Sequence, residues 1–359
     1  MTLREIMSGQ QRGLFAFGAR GLLAGAEAVY GSVVSLRNRQ YDRGGKAVHR
    51  VGVPVISVGN ITAGGTGKTP FVAWIANWFE QRSTNVALVS RGYGARANGK
   101  NDEALELELR LPRVPHVQNA DRVAAARQAI SGFETQLVVL DDAFQHRRIY
   151  RDLDIVLIDA LEPFGYGHLL PRGLLREPLS SLRRAHLIAL SRADLVTANQ
   201  RAEIRATVRR HAPNATWIEV AHRPRRLVSE TNARLGSSEI SSENSIDTLR
   251  GLRIAAFCGI GNPLGFRRTL ENSGVIVCAF REFPDHHLYS RDDTSSLATW
   301  LDTMDIDLAL CTMKDLVKLR VDQIGRHPLR ALMIDVEILA GREELESQLS
   351  ALSSREREK

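Results

Sequence analysis

Two periods organise the apolar positions of this chain. Across residues 14–36 they recur at helical spacing (Phe15, Leu22, Leu23, Ala26, Val29, Tyr30, Val33, Val34), and Arg20 and Glu27 share a face opposite much of that stripe. This predicts an amphipathic helix. It carries two charges and several glycines, which suits neither a spanning helix nor a signal peptide. Two readings stand: a helix packed on its own domain, or an interfacial helix on a membrane with Arg12, Arg37 and Arg39 reaching lipid phosphates. Beyond it, short apolar blocks at residues 51–58, 85–89, 136–140, 155–158 and 186–190 alternate with helix-like stretches. That alternation predicts an α/β fold, a parallel sheet flanked by helices. A Ser/Asn/Glu-rich stretch at 229–245 reads as a linker. Strand-like blocks at 252–257, 275–280, 306–311 and 329–334 follow it and predict a second, smaller α/β domain. The expected division is an N-terminal helix region (1–45), a main domain (46–228), a smaller domain closing over a cleft (229–345) and a charged tail (346–359).

Composition removes several classes. With 359 residues, 43% hydrophobic and 25% charged, the chain is neither disordered nor fibrous. Its three cysteines (Cys258, Cys278, Cys311) are too scattered for a disulfide framework or a zinc cluster. The net charge is +7, and residues 1–50 supply +5 of it: eight Lys/Arg against Glu5, Glu27 and Asp42. A basic end suggests an anionic partner. Few aromatic residues (Phe15, Phe17, Tyr30, Tyr41) accompany these basic ones, which argues against a single-stranded nucleic-acid groove.

The chemistry begins after the first apolar block. Gly59-Asn60-Ile61-Thr62-Ala63-Gly64-Gly65-Thr66-Gly67-Lys68-Thr69-Pro70 separates a strand from an apolar helix, the context of a P-loop NTPase. Thr62 stands where the first glycine of that pattern usually is. Thr62 through Thr69 are the expected nucleotide-binding residues. Backbone N–H groups of Gly64 to Lys68 would wrap a β-phosphate, Lys68 would reach the β- and γ-phosphates, and the Thr69 hydroxyl would bind Mg²⁺. The block at 136–140 runs into Asp141-Asp142, the expected metal-holding end of a strand. The block at 186–190 runs into Ser191-Arg192-Ala193-Asp194, a faint match to the base-reading Asn/Thr-Lys-x-Asp of GTPases that reads first as a helix cap.

The order of motifs resembles the tetraacyldisaccharide 4'-kinase family. The matching pieces are the phosphate loop, Ser90-Arg91-Gly92-Tyr93-Gly94, Asp102-Glu103, Asp141-Asp142-Ala143-Phe144-Gln145-His146 and Pro171-Arg172-Gly173-Leu174-Leu175-Arg176-Glu177-Pro178. Phe257-Cys258-Gly259-Ile260-Gly261-Asn262-Pro263, Phe283-Pro284-Asp285-His286 and Thr312-Met313-Lys314-Asp315 complete the series. The resemblance implies an enzyme transferring the ATP γ-phosphate, with Mg²⁺, to the 4'-hydroxyl of a tetraacylated glucosamine disaccharide 1-phosphate in lipid A biosynthesis. It implies a peripheral or monotopic position at the cytoplasmic face of the bacterial inner membrane, with lipids as partners and neither nucleic acid nor an obligate protein partner. It also implies a catalytic pair, Asp102 and His286, working with Lys68 and Asp142. Asn60, Tyr93, Arg122, Gln145, His146, Arg176 and Glu177 are the expected acceptor-binding residues, and Arg172 is a further candidate for gripping phosphate. The rival class is a P-loop regulatory NTPase that acts at the membrane by binding a partner.

Overall fold

The computed structural model describes residues 3–92, 101–234 and 245–357. The chain opens with helices α1 (Leu3–Met7) and α2 (Leu14–Asp42). Then come β1 (Val55–Asn60), α3 (Lys68–Glu80), β2 (Val86–Ser90), α4 (Asp102–Arg110), β3 (His116–Gln118), α5 (Arg122–Phe133), β4 (Leu137–Asp141) and β5 (Leu153–Asp159). They are followed by β6 (Leu187–Ser191), α6 (Ala198–His211), β7 (Thr216–Val228) and α7 (Glu230–Arg234). The last part holds β8 (Arg253–Cys258), α8 (Pro263–Asn272), β9 (Ile276–Glu282), α9 (Arg291–Asp302), β10 (Leu308–Thr312), α10 (Met313–Leu319), β11 (Gln323–Ile324), β12 (His327–Ala340) and α11 (Arg342–Arg357).

The strands form a 12-stranded sheet in the order β3-β2-β4-β1-β5-β6-β7-β12-β10-β8-β9, with β11 on the edge of β12. Neighbours run parallel except where β7 meets β12 and β11 meets β12. Strands β1, β2, β4, β5 and β6 are buried along their whole length. Helices cover both faces, which is why these strands read as continuous apolar blocks. One core face gathers Phe71, Ile75 and Phe79 of α3 over Val58, Val139 and Leu157. The other gathers Phe144, Ile188 and Val208.

β7 lacks an apolar run because its middle is His222-Arg223-Pro224-Arg225-Arg226. Pairing stabilises it instead: it lies antiparallel to β12, where Glu337 takes up Arg223 at 2.6 Å. These two long strands carry the sheet from the phosphate-loop half into the second half.

Helix α2 has 29 residues and spans about 43 Å at ~1.5 Å per residue. Polar side chains dock it. Tyr30 donates to the Arg176 carbonyl at 2.9 Å, Arg37 pairs with Glu177 at 2.6 Å, and Glu27 accepts from the Leu169 N–H at 2.7 Å. Its apolar stripe faces outward: Leu14 is 92% exposed, and Phe15, Phe17, Leu22, Val29, Val33 and Leu36 are exposed as well. Val34 of the expected stripe is buried and Tyr30 docks on the body, so the helix packs on its own domain as one reading expects, while most of the stripe stays exposed. The helix packs on the body by its polar side and presents the stripe to its surroundings.

Candidate active site

A cleft of about 1540 Å³ lies where the two halves of the sheet meet. Its floor is the loop between β1 and α3. Gly67 caps α3 in the left-handed conformation (φ 79°), and a Cβ there would stand 1.9 Å from the His222 ring, so only glycine fits. Gly64 through Thr69 line the cleft. Thr62 and Ala63, also expected at the nucleotide, do not line the cleft: Thr62 bridges to Leu175, and the Ala63 N–H is spent on the Leu174 carbonyl at 2.7 Å. They anchor the loop to the segment that carries Arg176.

Lys68 is aimed by two oxygens. Its Nζ donates to Asn60 Oδ1 at 3.1 Å and lies 3.4 Å from Asp142 Oδ1. Asn60 is fully buried and also donates to the Thr62 carbonyl, so it shapes the loop from beneath. Ser191 donates to the Thr66 carbonyl and Arg192 to the Gly65 carbonyl, each at 2.8 Å. The Ser-Arg-Ala-Asp stretch thus braces the phosphate loop.

β4 delivers Asp141 and Asp142. Asp142 sits at φ 50°, and both its oxygens accept from Arg176 at 2.9 Å. Burial alone would raise its pKa, but Lys68 and Arg176 outweigh burial and hold it at about 2. Asp141 behaves oppositely: burial, reinforced by Glu103, pushes it up to about 7. Its Oδ1 is buried with no hydrogen-bond partner among the described residues. An orphaned carboxylate oxygen beside a phosphate loop suits a cation held by few protein oxygens and by phosphate. Among the described residues there is no cluster of three His, Cys, Asp or Glu metal ligands.

The structure brings Asp102 and His286 together, with His286 Nδ1 3.7 Å from Asp102 Oδ2. Asp102 opens α4, and Asn101 caps that helix. His286 sits in the turn after β9 at φ 59°. Asp102 raises the His286 pKa above its ordinary value. Both residues line the cleft with Lys68 and Asp142.

Other expected residues divide. Arg122, Gln145, His146 and Arg176 line the cleft. Gln145 donates to the Asn60 carbonyl at 2.8 Å, while burial, with Arg122 next, lowers His146 to about 4 and leaves a neutral ring. Arg172 is directed elsewhere, donating to the Met7 carbonyl. Glu177 is fully buried and paired with Arg37 and Arg184, so it ties α2 to the body instead of facing the cleft. Tyr93 lies outside the described residues.

Two site residues lacked a sequence-based role: Glu103 and Lys314. Both line the cleft and pair at 2.9 Å. Lys314 holds Glu103 below the usual carboxylate range. Each stands within one of the matching motifs, Asp102-Glu103 and Thr312-Met313-Lys314-Asp315.

Comparison with known proteins shows the family. The sequence model of the family described as Tetraacyldisaccharide-1-P 4'-kinase matches residues 19–354. The tetraacyldisaccharide 4'-kinase of Anaeromyxobacter sp. (strain K) is 38% identical, covering 93% of this chain and 92% of the relative. That of Halothermothrix orenii is 36% identical, covering 88% of each. The solved structure of LpxK from Aquifex aeolicus in complex with ATP superposes with a TM-score of 0.71 at 28% identity, over 93% of this chain and 99% of that one. A match of this extent does not favour the regulatory NTPase. The chain belongs to the tetraacyldisaccharide 4'-kinase family.

Proposed function

We propose that this chain transfers the γ-phosphoryl group of ATP to the 4'-hydroxyl of a tetraacylated glucosamine disaccharide 1-phosphate. The observation that carries the reading is a carboxylate–imidazole pair, Asp102 and His286, in the same cleft as the phosphate loop. The 4'-oxygen forms a bond to the γ-phosphorus as the bond to the β,γ-bridging oxygen breaks. ADP leaves with that electron pair, and Asp102 accepts the hydroxyl proton. Lys68 and the N–H groups of Gly64 to Lys68 stabilise charge on the phosphates. Mg²⁺ would be held by Asp141 and Thr69, with Asp142 beside them, and would neutralise phosphate charge when bound. Arg122, His146 and Arg176 would meet the anionic acceptor. Phosphate transfer from labelled ATP to the disaccharide lipid, with and without Mg²⁺, tests this. ATP hydrolysis that never labels the lipid would overturn it.

The metal assignment has its own signature. Asp141 keeps its proton up to about pH 7, and a bound cation must displace that proton. Mg²⁺ with ADP, relative to ADP with a chelator, should raise the melting temperature more at pH 8 than at pH 6. An equal rise at both would remove Asp141 from the ligand set.

Among the described residues, no helix is long and apolar enough to cross a membrane. The exposed stripe of α2 and its basic flanks support a peripheral place on the cytoplasmic face of the inner membrane, against anionic lipids. Replacing Phe17 and Leu22 together by Asp should weaken partitioning to anionic vesicles about 100-fold or more, since each buried side chain contributes roughly 1.5–3 kcal/mol. Affinity for ATP should stay unchanged. Undiminished partitioning would mean that the stripe does not meet lipid.

A further inference from the structure

α10 reaches across to α4 with two lysines one turn apart. Lys314 Nζ lies 2.9 Å from Glu103 Oε1, and Lys318 Nζ lies 3.3 Å from Asp102 Oδ2. The two lysines differ in exposure. Lys314 lines the cleft, whereas the Lys318 side chain is 1% exposed and stands behind the wall. The other carboxylate near Lys318 is Asp315, at 3.9 Å. That group is already engaged, accepting from the Gly259 N–H at 3.0 Å, the Tyr289 hydroxyl at 3.0 Å and the Thr312 hydroxyl at 2.6 Å. Asp102 is therefore the nearer anion to this ammonium. His286 approaches the same Oδ2 from a side chain that is 61% exposed. Among the described contacts, Asp102 Oδ2 thus faces a titratable imidazole at the mouth and a buried ammonium inside.

We propose that Lys318 is a positioning residue for Asp102: its buried ammonium, which makes no hydrogen bond among the described residues, attracts Oδ2 by charge and steadies the first turn of α4, so that the carboxylate stands ready at the cleft wall whatever the state of His286. This rests on the reading of Asp102 as proton acceptor. Removing an ammonium that offsets a buried carboxylate favours the protonated form or lets the side chain swing away. Either outcome removes the base without touching substrate. Among the described residues, other charged groups on the elements around Asp102 include Glu103 and Glu106 on its own helix, Lys314 and Asp315 on α10, and Asp285 and His286 after β9, with Lys68 of α3 lining the same cleft.

Lys318→Met, assayed in the full-length enzyme with saturating ATP and disaccharide lipid, should lower kcat about 100-fold. KM for both substrates should stay within about threefold, as expected when only a transition-state contribution is lost. The acid limb of the kcat–pH profile should move up by about one pH unit or more. Combined with Asp102→Asn, the lysine change should cost nothing further. A normal kcat, a lowered kcat with an unmoved acid limb, or a loss that multiplies with that of Asp102→Asn would each overturn the inference. Asp102→Asn at near wild-type rate would instead overturn the reading of Asp102 beneath it. Should Lys318→Met fail to fold, Lys318→Gln, which keeps a polar group in the same space, carries the same measurements and outcomes.

Discussion

Lys68→Ala should abolish phosphoryl transfer, with a loss of about 10³-fold or more in kcat. The ammonium is the cation at the mouth of the phosphate loop, held by Asn60 and Asp142 at 3.1 and 3.4 Å. Losing one preorganised donor to developing charge costs ~10²–10³-fold where the donor is a neutral amide. Here the donor is a full charge in a largely buried setting, so the effect belongs at or beyond the upper end. Asp142 also loses one of the cations that keep it ionised, while Arg176 remains. The fold should survive, because Lys68 is the first residue of α3 and takes no part in the apolar core. Circular dichroism should be unchanged, with kcat lost at saturating ATP. A folded Lys68→Ala enzyme that turns over normally would remove the phosphate loop from the mechanism.

Asp102→Asn should cost ~10²–10⁴-fold in kcat, the usual contribution of a general base. The amide keeps the shape of the side chain but accepts no proton at neutral pH. His286→Ala should cost less, since on the proposed mechanism His286 only orients Asp102, from 3.7 Å, and leaves the proton-accepting carboxylate in place. Groups that act as one unit are non-additive, so the double variant should be hardly slower than Asp102→Asn alone. ATP affinity should barely move, because neither residue belongs to the phosphate loop. Losses that multiply in the acceptor-saturated rate would show that the two residues do separate jobs. A near-normal Asp102→Asn would show that another group takes the proton.

The phosphate-loop half was legible in the sequence for a physical reason. Its central strands are covered on both faces, so burial demands an unbroken apolar block at each of them. β7 escaped notice because its stability comes from pairing and from Arg223–Glu337 contact with β12, neither of which leaves a local pattern. Strand β3, His116–Gln118, is too short to show one. Within the site, spacing identified the residues that one loop carries. It did not show that Asp102 and His286 meet, since that depends on how α4 packs against the far half through α10. Glu177 illustrates the opposite limit. A motif fixes its identity, but only the fold reveals that it sits between two arginines and faces away from the cleft. The apolar stripe of α2 was visible as a pattern, while the side on which the helix docks was set by Glu27, Tyr30 and Arg37.

The way α2 is mounted bears on how a lipid acceptor can be reached at all. Drawing an acyl chain out of a bilayer costs ~0.8 kcal/mol per methylene, so about ten methylenes amount to roughly 8 kcal/mol, and four chains far exceed what a cleft can return. Tyr30 touches the backbone of Arg176, whose side chain grips Asp142, so the outward stripe and the reacting centre are joined by a short, stiff connection. If the stripe lies in the interface, as proposed above, the tails stay in the hydrocarbon and only the sugar is lifted to the phosphate loop. Encounter then becomes a search in two dimensions, and turnover follows the mole fraction of acceptor in the surface instead of its bulk concentration.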